Sequence, residues 1–180
     1  MKRQNLISCL VCTLGFAVYA HSQAVPTASR TGALQIGGGF SYAKPDYTET
    51  AIKGASAYST FDLTKHLGAE ADIHVVSIST PDRVGENSYL IGPRYVFNEK
   101  HFSPYAKVLA GLGEIKFNFA TMPASSTTTF VYALGAGLDV QVTHNINIRP
   151  IDFEYQQWPT FKPHGLSPYV ITVGAAYVFH

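Results

Sequence analysis

From residue 33 onward, apolar and small or polar residues alternate with a period of two in segment after segment, the mark of strands with one apolar face. The first segment, residues 33–42, sets Leu34, Ile36, Phe40 and Tyr42 against Ala33, Gln35, Gly37, Gly39 and Ser41. The second, 54–63, has a thin apolar face of Ala55, Ala57, Ser59, Phe61 and Leu63, so its register is weakly marked. The third opposes Leu67, Ala69, Ala71, Ile73 and Val75 to Gly68, Glu70, Asp72, His74 and Val76. The fourth opposes Tyr89, Ile91, Pro93, Tyr95 and Phe97 to Ser88, Leu90, Gly92, Arg94 and Val96, and its proline demands an irregular or unpaired ladder position.

Two later segments break phase. The fifth begins at Pro104 with Ala106, Val108, Ala110 and Leu112 on the apolar face, and then Ile115, Phe117 and Phe119 fall on the other parity. A bulge near Gly111 or Gly113 is expected to restore the face and turn Glu114 and Lys116 inward. The sixth, 132–140, is regular. In the seventh, Arg149 and Asp152 both face inward only if the chain bulges at Pro150. The eighth sets Tyr169, Ile171, Val173, Ala175, Tyr177 and Phe179 against Val170, Thr172, Gly174, Ala176 and Val178.

Connections alternate short and long, with turns at 64–66 and 143–145 and longer loops at 122–129 and 158–164. The pattern predicts an all-β fold, an eight-stranded antiparallel up-and-down transmembrane β-barrel over residues 33–180, with both termini on the periplasmic side. Phe40, Tyr42, Tyr89, Phe117, Phe130, Tyr155 and Tyr169 then lie near the outer interface, and Phe61, Tyr95, Phe97, Tyr177 and Phe179 near the inner one. A soluble sandwich or lipocalin-like barrel would instead wet one strand face with charge, whereas here that face is Gly, Ala, Ser and Thr with sparse charges.

Composition supports this. Hydrophobic residues make up 46% of the 180 and charged residues only 14%, against about 25% in a typical soluble domain. At the N-terminus, Lys2 and Arg3 precede an uncharged apolar run from Leu6 to Tyr19, a signal peptide assigned to residues 1–24, with cleavage after Ala24 or after Ala20. Residues 25–32 form a short segment before the barrel. Cys9 and Cys12 leave with the signal, so no disulfide or cysteine ligand is expected. Leu6-Ile7-Ser8-Cys9 resembles a lipoprotein box but lacks an apolar core upstream. Removing Lys2 and Arg3 from 13 basic residues leaves 11 against 12 acidic, a balance that gives no pull toward nucleic acid.

These segments together resemble the outer-membrane β-barrel domain family, relatives in architecture of the small OmpA-type and OmpX-type barrels. The resemblance covers about residues 31–180 and rests on Ile91-Gly92-Pro93-Arg94-Tyr95, on Pro104 to Gly111, on Ala133 to Val140, and on Ile148-Arg149-Pro150-Ile151-Asp152. It implies the cell outer membrane of a Gram-negative envelope, contact with outer-membrane lipids and a monomer. The last strand, with Thr172, Gly174, Tyr177 and Phe179, resembles the signal read by the barrel-assembly machinery, although His180 follows the terminal aromatic.

The inward face sends Glu70, Asp72, Arg94, Lys107, Asp139, Arg149, Asp152 and Glu154 into the lumen, where charges of both signs are expected to pair and plug the channel. Of seven histidines, His66, His101 and His144 fall in turns, His74 faces the lumen two residues from Asp72, and no pair has metal-ligand spacing. No catalytic residue, metal or cofactor is expected. Trp158, Phe161 and His164 in the last outer loop are contact candidates for an unknown surface ligand, the simpler reading of Trp158 and Phe161 being interface anchors. The leading function is a structural or surface-interaction barrel. The alternatives are a narrow passive pore and a lipid-modifying enzyme using His164 and Ser167.

Overall fold

A computed structural model describes residues 32–45, 51–78, 83–97, 101–118, 125–161 and 165–179; the signal peptide and its cleavage sites lie outside them. Eight strands follow in order: β1 (Leu34–Lys44), β2 (Ile52–Asp62), β3 (Leu67–Ile78), β4 (Arg83–Val96), β5 (Phe102–Asn118), β6 (Ser125–Gln141), β7 (Ile146–Gln157) and β8 (Tyr169–Phe179). Each pairs antiparallel with its neighbours in the chain, and β8 returns to β1, so the sheet is a closed barrel. Closure is what lets strands cross lipid, because it leaves no edge of unpaired N–H and C=O groups in a solvent that cannot bond them. The eight-stranded up-and-down fold read from the alternation is therefore borne out.

The same alternation sorts the two faces. Ile36, Phe40, Ile91, Leu112, Leu134 and Val173 are exposed on the outside, while Gln35, Ser41, Thr60, Arg94 and Thr172 between them are buried inside. In the thin-faced β2, Ala55, Ala57 and Phe61 point out and Ser56, Tyr58 and Thr60 point in. Outward rings occupy both ends: Phe40, Tyr42, Tyr89, Phe130 and Tyr155 at one, Phe61, Tyr95, Phe97, Tyr177 and Phe179 at the other. At the inner end, Tyr177 meets Phe179 edge to face with centroids 4.8 Å apart, and Tyr95 meets Phe97 at 5.2 Å. The side chain of Phe117 is not among those described. The tight turns sit at this end. Leu63 and Thr64 both donate to the Leu67 carbonyl at 3.0 and 2.8 Å, and Thr64 Oγ1 accepts from the Leu67 N–H at 2.9 Å.

The two phase breaks resolve differently. In β7 the pairing with β8 shifts between Arg149 and Asp152, so Pro150 and Ile151 are exposed while both charged residues turn inward. In β5 the expected bulge is absent: Ser88↔Gly113, Leu90↔Gly111 and Arg94↔Lys107 belong to one continuous register with β4. Ile115 therefore points into the barrel, fully buried, while Lys116 is exposed. The reason is that Leu90, Leu109, Val131 and Trp158 make an apolar cluster in the outer lumen that accepts an isoleucine without a kink. A second correction concerns the loop placed at 122–129, because Ser125–Thr129 already belongs to β6 and pairs with Gly113–Phe117 of β5. Pro93 faces outward where the β4–β5 pairing skips Gly92 and Pro93, so its missing N–H costs the ladder little.

Candidate functional site

The interior is built in three tiers. At the inner end, Asn147 Nδ2 donates to Gln35 Oε1 at 3.0 Å, and Gln35 Nε2 reaches Asp62 Oδ2 at 3.5 Å. Above them lies the charged tier, and all eight lumen charges singled out from the sequence are in it, each no more than 2% exposed. They come from five adjacent strands, β3 to β7, because every second residue of each must face the axis.

Glu70 is the hub. Its two oxygens take Arg149 Nη1 and Nη2 at 3.1 Å each, Arg94 Nη1 at 3.1 Å, Lys107 Nζ at 2.9 Å and Thr60 Oγ1 at 3.1 Å. Asp139 bridges both arginines, accepting from Arg94 Nη2 at 2.6 Å and from Arg149 Nε at 3.0 Å. Lys107 Nζ also contacts Asp72 at 2.6 Å, Asp152 at 2.7 Å and Glu154 at 2.8 Å. Desolvating an ion costs several kcal/mol, which its partners repay only when geometry and hydrogen bonding are nearly complete. Two tyrosines complete the tier. The Arg149 guanidinium lies 3.8 Å over the Tyr58 ring, and that of Arg94 lies 3.9 Å over Tyr105. Space for those rings comes from Gly37 and Gly137, where a β-carbon would strike Tyr58 and Tyr105 respectively. The tyrosines share parity with Thr60 and Lys107, a signal the sequence reading passed over.

His74 joins this tier from β3. Its Nδ1 is 3.0 Å from Ser41 Oγ, which is 2.8 Å from Thr172 Oγ1, and its Nε2 is 3.2 Å from Glu154 Oε1. Glu154 lies 80 residues from His74 in the chain, so no spacing rule could have linked them.

The outer tier is mostly apolar, with Glu86 buried in register between Val76 and Ile115. Leu90, Leu109, Ile115, Val131, Ala133, Trp158 and Leu166 form one buried cluster, with Phe161 packed against it. Ala43, Ile52, Val76 and Val170 form another. Trp158 corrects the expectation of an exposed patch or a lipid-interface anchor, because its side chain is fully buried inside the barrel. Its Nε1 donates to Gln156 Oε1 at 3.3 Å, and its ring lies where a side chain at Gly113 would stand. The chain is turned inward there by a small hairpin. Trp158 and Leu166 exchange backbone hydrogen bonds at 2.8 and 3.3 Å, Gly165 takes the left-handed φ of 79° that closes it, and the hydroxyls of Thr129 and Thr160 meet beside it. Phe161 is half-buried, and His164 lies outside the described residues.

In β8, Thr172 is buried against Ser41, and Gly174 lies at the β1–β8 seam, where a β-carbon would crowd the Gly38 carbonyl at 2.5 Å. Tyr177 and Phe179 project outward at the inner rim.

Comparison with known proteins agrees with this architecture. A family model described as the outer membrane protein beta-barrel domain matches residues 8–179. None of the curated proteins compared with the sequence matches it. Among solved structures, Ail, the attachment invasion locus protein of Yersinia pestis, in complex with the heparin analogue sucrose octasulfate, is similar with a TM-score of 0.61 at 19% identity, covering 83% of this chain and 99% of that one. Neisserial surface protein A is similar at 0.67 and 12% identity, covering 82% and 96%. The N-terminal β-barrel domain of Pseudomonas aeruginosa OprF is similar at 0.56 and 16% identity, covering 83% and 98%. These likenesses are of fold. With a closed barrel, rings at both rims and a family model spanning nearly its whole length, the chain belongs to the outer membrane protein beta-barrel domain family and resides in the outer membrane.

Proposed function

We propose that this outer-membrane barrel is a non-conducting, monomeric envelope protein with a structural or surface-interaction role, inserted by the barrel-assembly machinery and carrying no enzymatic activity of its own. The observation that supports this reading is the lumen network. Eight charged side chains from five strands, none more than 2% exposed, bond one another across the axis. An eight-stranded barrel has an interior just wide enough for side chains to fill, so charges that bond one another there plug the channel rather than line it. With the interior committed to packing, recognition falls to the outer connections, as is usual for rigid scaffolds.

Planar-bilayer recording of the refolded protein tests the reading. The expected result is no steady ion conductance. Stable, reproducible channel steps from the wild type would make it a narrow pore and overturn the proposal.

A further inference from the structure

The charged tier is short of positive charge. With His74 counted as neutral, five carboxylates, Glu70, Asp72, Asp139, Asp152 and Glu154, face Arg94, Lys107 and Arg149, a formal surplus of two negative charges. The shortage is local to Lys107, whose ammonium has three hydrogens but four carboxylate contacts between 2.6 and 2.9 Å. Two carboxylate oxygens of the tier, Asp72 Oδ1 and Asp152 Oδ1, are buried without a hydrogen-bond partner, each on a residue 2% exposed. An unsatisfied charged acceptor in such a place is costly.

His74 stands two residues along the same face of β3, and Glu154 arrives from β7. One ligand atom from each of Asp72, His74 and Glu154 lies within 4.8 Å of the other two, and all three residues are buried. The imidazole is already oriented from behind. In the tautomer whose Nδ1–H donates to Ser41 Oγ at 3.0 Å, the Nε2 lone pair faces Glu154 Oε1 at 3.2 Å; in the other, Nε2–H donates to Glu154. In the first tautomer two acceptors confront each other, an arrangement that a cation between them resolves. A hydrogen bond to the far nitrogen is also how metal-ligating histidines are commonly held.

We propose that Asp72, His74 and Glu154 form a buried site for one divalent transition-metal ion of the zinc class. One imidazole nitrogen with two carboxylate oxygens is a donor set that zinc accepts, whereas calcium needs six to eight oxygens. A doubly charged ion cancels the surplus and ties β3 to β7, and Lys107 keeps Glu70 and Asp152 as partners when the other two carboxylates turn to the metal. The proposal concerns how the charged tier is balanced and stands apart from whether the lumen conducts.

The test uses the untagged protein refolded with Zn2+ or with Ca2+, desalted, and analysed for bound metal and melting temperature. Wild type is expected to retain one zinc per chain, to retain no calcium, and to melt higher after refolding with zinc. His74→Gln should retain none, while a variant with the exposed His66, His101 and His144 all changed to Gln should keep it. Should His74→Gln fail to fold, refolding the wild type with Co2+ should give the visible absorption of a nitrogen-ligated, low-coordinate ion. Wild type that loses all zinc on desalting, retention of calcium instead, a His74→Gln variant that holds as much zinc as wild type, or no such cobalt spectrum would each overturn the site.

Discussion

Arg149 commits its whole guanidinium to three carboxylates: Nε to Asp139, Nη1 and Nη2 to Glu70, and Nη1 again to Asp152, while its face covers Tyr58. Planar, forked donors suit such bidentate bonding. Trp158 is the apolar counterpart one tier up, and as the chain's only tryptophan it is its own reporter. Its fluorescence should be blue-shifted and insensitive both to aqueous quenchers and to brominated lipids, because the ring faces neither water nor acyl chains. Strong quenching by brominated lipids would return it to the interface. Changing it to Ala should cost about 3–5 kcal/mol, the range for emptying a large aromatic site, read from urea unfolding in vesicles.

At the scale of elements, the phase breaks of β5 and β7 show how far alternation can be read. Arg149 and Asp152 cannot face lipid, so a bulge at Pro150 was the only solution, and the strand adopts it. Ile115 can face lipid or an apolar interior equally well. Period two alone does not separate those cases, and the strand runs straight. The same ambiguity hid Trp158, since an aromatic after a strand suits a membrane interface and a lumen cap alike. The lumen charges were legible by parity, but their pairing was not, because His74 with Glu154 and Arg94 with Asp139 are joined only when the sheet closes. The last element carries its own prediction. Changing Tyr177 and Phe179 together to Ala should leave export intact and prevent insertion, seen as degraded or aggregated periplasmic protein. Normal outer-membrane levels of that double variant would remove the assembly role assigned to β8.

For the whole molecule, the closed barrel should resist detergent until heated, so boiled and unboiled samples should migrate differently. That behaviour follows from eight strands paired all the way round. On the proposed reading the interior is a desolvated ion-paired core. If so, global stability depends on lumen charges far more than on surface ones. Equilibrium urea unfolding in lipid vesicles of Arg149→Ala and Lys116→Ala measures this most directly. Arg149 is 1% exposed among three carboxylates, whereas the Lys116 side chain is 55% exposed, with Glu114 3.0 Å away. Loss of a buried partner strands the opposing charges at about 3–5 kcal/mol, and loss of an exposed pair costs about 0–1 kcal/mol. Arg149→Ala is expected to unfold at clearly lower urea while Lys116→Ala stays with the wild type. Equal unfolding midpoints for the two variants would mean separately hydrated charges in a wet lumen, and would contradict the ion-paired reading.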